Sequence, residues 1–296
     1  MRHPAFVTTL RATSWLDLAG WAFASFSLVG ILVILVPAPV KPFVRGLGLA
    51  LPLMLLAAKD LAHAPDAWRR LCAARSWPAR AASLLPPELL GMLKIDRQLW
   101  RGCLQRLRGR PVPVMAAQGV QLTYLERGAY GTAGAVVVVA MVVGLPLDTL
   151  FINLFVEDAQ ARAAIHVLRV AAAVCTLAWL LGDRWHLGAG SHVLTDAALH
   201  LSVGARSQGV LPLAAIARCE RVDLAPRDWR RRHRVAQPDT LTVTPFDKPN
   251  CVLVLEEGAD IALTHHGVER RAPRYLFLYL DRPELLAARL RRREGA

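Results

Sequence analysis

The chain has 296 residues, long enough for two structural units, with 54% apolar residues, 20% charged residues and a net charge of +13. A basic balance of this size points to nucleic acid or to an anionic membrane surface. No helix-turn-helix, zinc-finger or RNP pattern is present, and the apolar residues gather in blocks flanked by arginine, so the sequence argues against nucleic acid and for a membrane.

A membrane-spanning helix needs about 20 mostly apolar residues. Residues 15–36 meet this cleanly and end at Pro37-Ala38-Pro39. Their apolar run is longer than the core of a signal peptide and no A-x-A site follows, so the segment is expected to be retained. The second span is predicted over 43–62, with Pro52 inside it and Arg45 and Lys59 placed to snorkel toward the two interfaces. The third runs over 128–147 through Val136 to Val139, and the fourth over 163–182. The expected architecture is therefore an all-α membrane domain of four helices over 1–185, followed by an α+β domain over 186–296.

Charge sets the orientation. The connection between the second and third spans, 65–127, carries eleven Arg and Lys from Arg69 to Arg127 against Asp66, Glu88, Asp96 and Glu126. The short connection between the third and fourth carries Asp148, Glu157 and Asp158 against Arg162. The positive-inside rule puts the basic loop in the cytoplasm, and four crossings put both termini there, in keeping with Arg2 and Arg11. Cys72, Cys103, Cys219 and Cys251 fall in parts assigned to the cytoplasm and Cys175 within the fourth span, without a C-x-x-C pair, as free thiols in a reducing compartment should.

Inside the basic loop, Glu88 to Arg110 has helical periodicity between Pro86-Pro87 and Pro111. Leu89, Leu93, Trp100, Cys103, Leu104 and Leu107 share one face, and Lys94, Arg97, Arg101 and Arg108 occupy the rest. Such a helix is expected either at the lipid headgroups or packed on the C-terminal domain with its arginines in water. Arg97, Trp100, Arg101 and Arg108 are its candidate lipid- or partner-binding residues.

Beyond Gly182 the pattern turns to short strands: Ser191–Thr195, Leu199–Val203, Val210–Ile216, Arg218–Asp223, Asp239–Phe246, Cys251–Leu255, Asp260–Thr264 and Tyr275–Leu280. Asp247-Lys248-Pro249-Asn250 supplies turn chemistry for a hairpin over 244–257, and His265-His266-Gly267 for a second hairpin tip. A terminal helix follows, with Asp281 as its cap and Pro283 in its first turn.

Two of these segments, Val193-Leu-Thr-Asp-Ala-Ala-Leu-His-Leu201 and Val210-Leu-Pro-Leu-Ala-Ala-Ile216, resemble the early strands of bacterial PH-like domains. The resemblance covers roughly 186–292. It implies an antiparallel sheet or barrel closed by a C-terminal helix, attached to helices of the bacterial inner membrane. It further implies a binding or assembly module without catalytic residues. The insertion Ala225 to Pro238 departs from the family's pattern and leaves the strand count open.

Four groups of residues invite chemistry. Asp60, His63 and Asp66 are spaced for a metal or acid–base site, although Pro65 is expected to break their helix. Arg162, His166 and Arg169 share a face at the outer start of the fourth span, within reach of Asp148, Glu157 and Asp158. Trp229 among Arg230, Arg231 and Arg232 suits an anionic bilayer if it lies in a surface loop. His265 and His266 fit a hairpin better than a ligand set. No nucleophile elbow, phosphate loop, dinucleotide fingerprint or metalloprotease motif is present, so neither catalytic residue, metal nor cofactor is expected. The sequence thus points to a scaffold or regulator that docks a protein partner, a second copy of the chain or lipid headgroups. The alternative is a membrane enzyme or small transporter using the polar groups of the second and fourth spans.

Overall fold

The computed structural model describes Thr13, residues 15–156 and residues 158–294; Arg2, Arg11 and Glu157 lie outside them. The chain forms two compact units, Met1–Gly91 and Met92–Ala296. In the first, α1 (Trp15–Leu35) and α2 (Lys41–Ala73) make a helical hairpin around a 3-10 turn at Ala38–Val40. Gly48 lets the two helices close up, since a Cβ there would sit 2.5 Å from a Val29 methyl. Pro65 does not break α2, which runs unbroken through both Pro52 and Pro65. Each proline removes one N–H, and the hydrogen bonds of the turns on either side carry the helix across. A short α3 (Trp77–Ser83) follows.

Three helices are long and apolar enough to cross a membrane: 38–73, 130–154 and 159–187. Within α1 the described apolar stretch is Gly20–Val33, shorter than the others.

The boundary falls inside α4 (Pro87–Leu107), and in the second unit the rest of α4 is followed by the apolar pair α5 (Tyr130–Phe155) and α6 (Ala159–Leu187). Both outlast their predicted bounds, so the expected outer loop shrinks to a few residues. Asp148 belongs to α5, and Asp158 caps α6 by accepting the Ala161 N–H at 2.5 Å. At its other end α6 meets α4 backbone to backbone. A Cβ on Gly182 would fall 1.9 Å from the Leu99 carbonyl oxygen, and one on Gly102 2.8 Å from the Gly182 oxygen.

The remaining chain forms two sheets. One has the order β1-β2-β3-β4-β8-β9 and the other β5-β7-β10-β6. Their strands are β1 (Val120–Thr123), β2 (Ser191–Leu194), β3 (Ala198–Val203), β4 (Ser207–Pro212), β5 (Ile216–Arg221), β6 (Thr240–Val243), β7 (Cys251–Leu255), β8 (Ala262–His265), β9 (Val268–Arg271) and β10 (Tyr275–Leu278). The alternation read from the sequence decides which side chains meet. Leu199, Leu201, Val203 and Leu211 of one sheet share a core with Leu253, Leu255, Leu276 and Leu278 of the other, closed by Leu286 and Leu290 of α8 (Pro283–Glu294).

Four features depart from the sequence expectation. β1 comes from the loop ahead of α5 and pairs antiparallel with β2. The predicted strand 210–216 is divided: β4 ends at Pro212, a 3-10 turn follows, and β5 begins at Ile216. Residues 244–257 are no hairpin, because β10 lies between β6 and β7, antiparallel to β7 and parallel to β6. The buried run Cys251–Leu255 has β5 on one side and β10 on the other. Finally, the Ala225–Pro238 insertion contains a helix, α7 (Pro226–His233). The two-residue turn between β8 and β9 does follow expectation, with His266 and Gly267 both at positive φ.

Candidate functional site

The chain from β1 into α5 is gripped by three carboxylates from distant parts of the second unit. Asp281 accepts the N–H groups of Glu126 at 3.0 Å and Arg127 at 2.9 Å. Asp247 accepts the N–H of Ala129, just ahead of α5, where a negative charge also favours the helix dipole. Asp183, in the last turns of α6, accepts the Tyr130 hydroxyl at 3.0 Å and the Arg206 guanidinium at 2.7 Å. Arg206 also donates to the Pro245 carbonyl at 2.7 Å, and the Phe246 ring lies 4.4 Å beneath it. Residues of β1, α5, α6 and both sheets therefore share one hydrogen-bonded joint. Tyr124 completes it, donating to the Ser202 carbonyl at 2.9 Å. Burial, then the charge of Asp183, pushes the Tyr124 hydroxyl pKa up, keeping it a donor.

Sequence reasoning missed this joint because each carboxylate has a plausible local role. Asp247 sits in turn chemistry, Asp281 before a helix, and Asp183 beside Arg184 at a span end. The one signal was Asp183 itself, an acid directly after an apolar run.

Beside the joint, the outer face of the first sheet forms the floor of a trough of about 750 Å³. Gln121, Val193, His200, Ser202, Gln208 and Val210 point outward, in register across β1 to β4. The irregular segment from Val112 to Gly119 makes one wall, and His186 and Leu187 close the α6 end. The lining holds no Asp, Glu, Lys or Arg, which suits a neutral polar or peptide-like ligand better than an ion.

Two buried histidines flank these features. His192 accepts the Ser202 N–H on Nδ1 at 3.1 Å, and its Nε2 has no partner among the described residues. Burial lowers its pKa to about 4, so the ring is neutral. His265 Nδ1 lies 2.7 Å from Ser207 Oγ. Burial, then the neighbouring His266 and Arg270, lowers the His265 pKa to about 3. The pair joins facing residues of β4 and β8. Among the described residues no group of His, Cys, Asp or Glu could hold a metal.

The residues singled out from the sequence scatter. Asp60, His63 and Asp66 line a cavity of about 630 Å³ in the first unit, together with Arg70 and Glu88. His63 Nδ1 lies 3.9 Å from Asp66, which also takes Arg69. Arg169 pairs with Asp148 across α5 and α6 and reaches the Gly144 carbonyl at 3.4 Å. Arg162 and His166 are half-buried on the preceding turns of α6. Arg97, Arg101 and Arg108 are exposed on or just after α4, with Trp100 beside them. Trp229 leaves the lipid-facing set: its helix turns the indole onto Val252 and Phe277, and 5% of it stays exposed. A short amphipathic helix with one aromatic gains more by burying it on the uncovered face of a sheet than by holding it in water. Arg231 and Arg232 remain exposed on the far side of α7, and Arg230 is half-buried, 3.5 Å from the Thr240 hydroxyl.

In comparisons with known proteins, the chain matches no family model, no curated protein and no solved structure.

Proposed function

We propose that the protein is a multi-pass inner-membrane scaffold or regulator whose sheet domain docks a partner at the cytoplasmic face. The carrying observation is the carboxylate joint, which ties both sheets to the ends of α5 and α6. A module fixed to its spans by buried hydrogen bonds presents one surface at one height above the membrane. Four spans, with α1 as the first, place both termini in the cytoplasm, and the excess of arginine between α2 and α5 favours that orientation. A PH-like relationship draws support from two sheets sharing one core with a terminal helix across it. The docking surface is the trough on the first sheet, and its occupant is a protein segment or a second copy of the chain.

The rival is a membrane enzyme or transporter acting through Asp60, His63, Arg162, His166 and Arg169. Purification of the full chain in mild detergent separates the two. Ser202→Trp with Val210→Arg, which fill the trough, are expected to strip the co-purifying partner or dissociate the oligomer. Alanine at His63, His166 and Arg169 is expected to leave both unchanged. A partner that survives the filled trough sinks the proposal.

A further inference from the structure

We propose that α4 is a membrane-surface helix, docked by its exposed apolar stripe on an anionic bilayer with its arginines on the lipid phosphates. This deepens the membrane reading above and rests on it. Successive residues turn by about 100° around a helix, which divides Met92–Leu107 into three sectors. The first faces protein: Gly102 and Cys103 are buried and Ile95 and Leu99 half-buried, while Met92 and Arg106 at the two ends of this sector are exposed. The second is apolar and uncovered, with Leu93 53%, Trp100 37%, Leu104 49% and Leu107 71% exposed. The third is basic, with Lys94, Arg97, Arg101 and, just beyond the last turn, Arg108 all exposed. The acid of this stretch, Asp96, is half-buried at the opposite edge of the stripe, next to the protein-facing sector.

That order of sectors matches a helix lying in the headgroup region against the flank of a span, with protein at its side, hydrocarbon beneath and phosphates at its edge. Its position is fixed independently of its composition. Gly102 and Gly182 bring α4 against α6 at backbone distance. His186 donates to the Gln98 carbonyl at 2.8 Å, and Trp185 to the Arg110 carbonyl at 3.3 Å. These contacts all fall on the last turns of a helix long and apolar enough to cross a membrane. Trp185 and Arg184 are themselves the residue types found where a span leaves the hydrocarbon. The stripe is thus held at the depth where a bilayer surface would cover it, and its basic edge suits anionic headgroups.

Photo-crosslinking on the full chain in vesicles tests this. A benzophenone amino acid is placed at Leu104, at Val138 in α5 as a lipid-facing control, and at Val210 in the trough as a control outside the bilayer. In phosphatidylglycerol vesicles, lipid adducts are expected at 104 and 138 and not at 210. Replacing phosphatidylglycerol by phosphatidylcholine is expected to lower the yield at 104 several-fold while leaving 138 unchanged. Arg97→Gln, Arg101→Gln and Arg108→Gln together are expected to abolish that preference, since each charge near an anionic surface is worth roughly fivefold. Adducts at 138 but not at 104, adducts of 104 to protein, or no dependence on anionic lipid would each overturn the proposal. No lipid adduct at 138 would instead overturn the membrane reading beneath it.

Discussion

Valine serves two opposite purposes in this chain. In α5, Val136, Val139, Val142 and Val143 are all exposed, whereas in the sheets Val203, Val243, Val252 and Val254 are buried. The helices meet the backbone's need for hydrogen bonds internally, and their side chains require only an apolar solvent. The strands must bury their faces against one another, because an uncovered apolar sheet in water costs about 25 cal/mol per Å². Polar groups divide the same way. Arg169 and Asp148 pair across two apolar helices, with Asp148 half exposed, while Asp183 and Arg206 pair inside a joint where the carboxylate is buried.

The largest test of this contrast is truncation on each side of it. Phe277 is fully buried, with its ring edge-on to Trp229 at 5.3 Å. Phe277→Ala is expected to cost the sheet domain about 3–5 kcal/mol in denaturant unfolding in detergent, against less than about 0.5 kcal/mol for Val139→Ala. Comparable losses at both sites would mean that α5 is packed rather than lipid-facing.

Next comes the joint. Asp183→Ala strands the Arg206 guanidinium and the Tyr130 hydroxyl, at an expected cost of about 3 kcal/mol. Asp281→Ala frees two backbone N–H groups, at about 1–3 kcal/mol. If the joint couples sheets to helices, both changes also raise hydrogen exchange at 124–130 while leaving the middle of α6 protected. Unchanged exchange at 124–130 would show that packing alone holds the link.

The effect that vanishes at neutral pH is the dependence on acid. His192 has a folded pKa of about 4 against an ordinary value of 6.5. The unfolded chain therefore takes up a proton before the native one does. Stability is full above pH 6.5 and falls as pH drops toward 4, by about 3 kcal/mol at most for this group. His192→Gln keeps an acceptor for the Ser202 N–H, lowers overall stability somewhat, and is expected to lessen the slope of the unfolding midpoint over that interval without removing it, since His265 titrates in the same direction. An unchanged slope would assign the acid sensitivity to His265.

Much of the frame was legible in the sequence. The apolar runs of α5 and α6, most strands and the His266–Gly267 turn are local signals, readable because side-chain period and turn chemistry are set by neighbours a few residues apart. The trough was not legible, since its floor combines Gln121 from before α5 with His200, Ser202 and Gln208 from beyond α6. Trp229 was misplaced for a related reason: an arginine-rich segment reads as solvated until the sheet it covers is known.

By itself, then, the sequence determined most of the helices and strands, which faces are apolar and where the arginines lie, because each follows from backbone geometry and the cost of wetting hydrocarbon. Only the tertiary structure decided that β10 separates β6 from β7, that β1 crosses the chain to join β2, and that Asp183, Asp247 and Asp281 converge on one turn. Those choices depend on burying both faces of central strands and satisfying every buried N–H at once. Such conditions hold between residues more than a hundred positions apart in the chain.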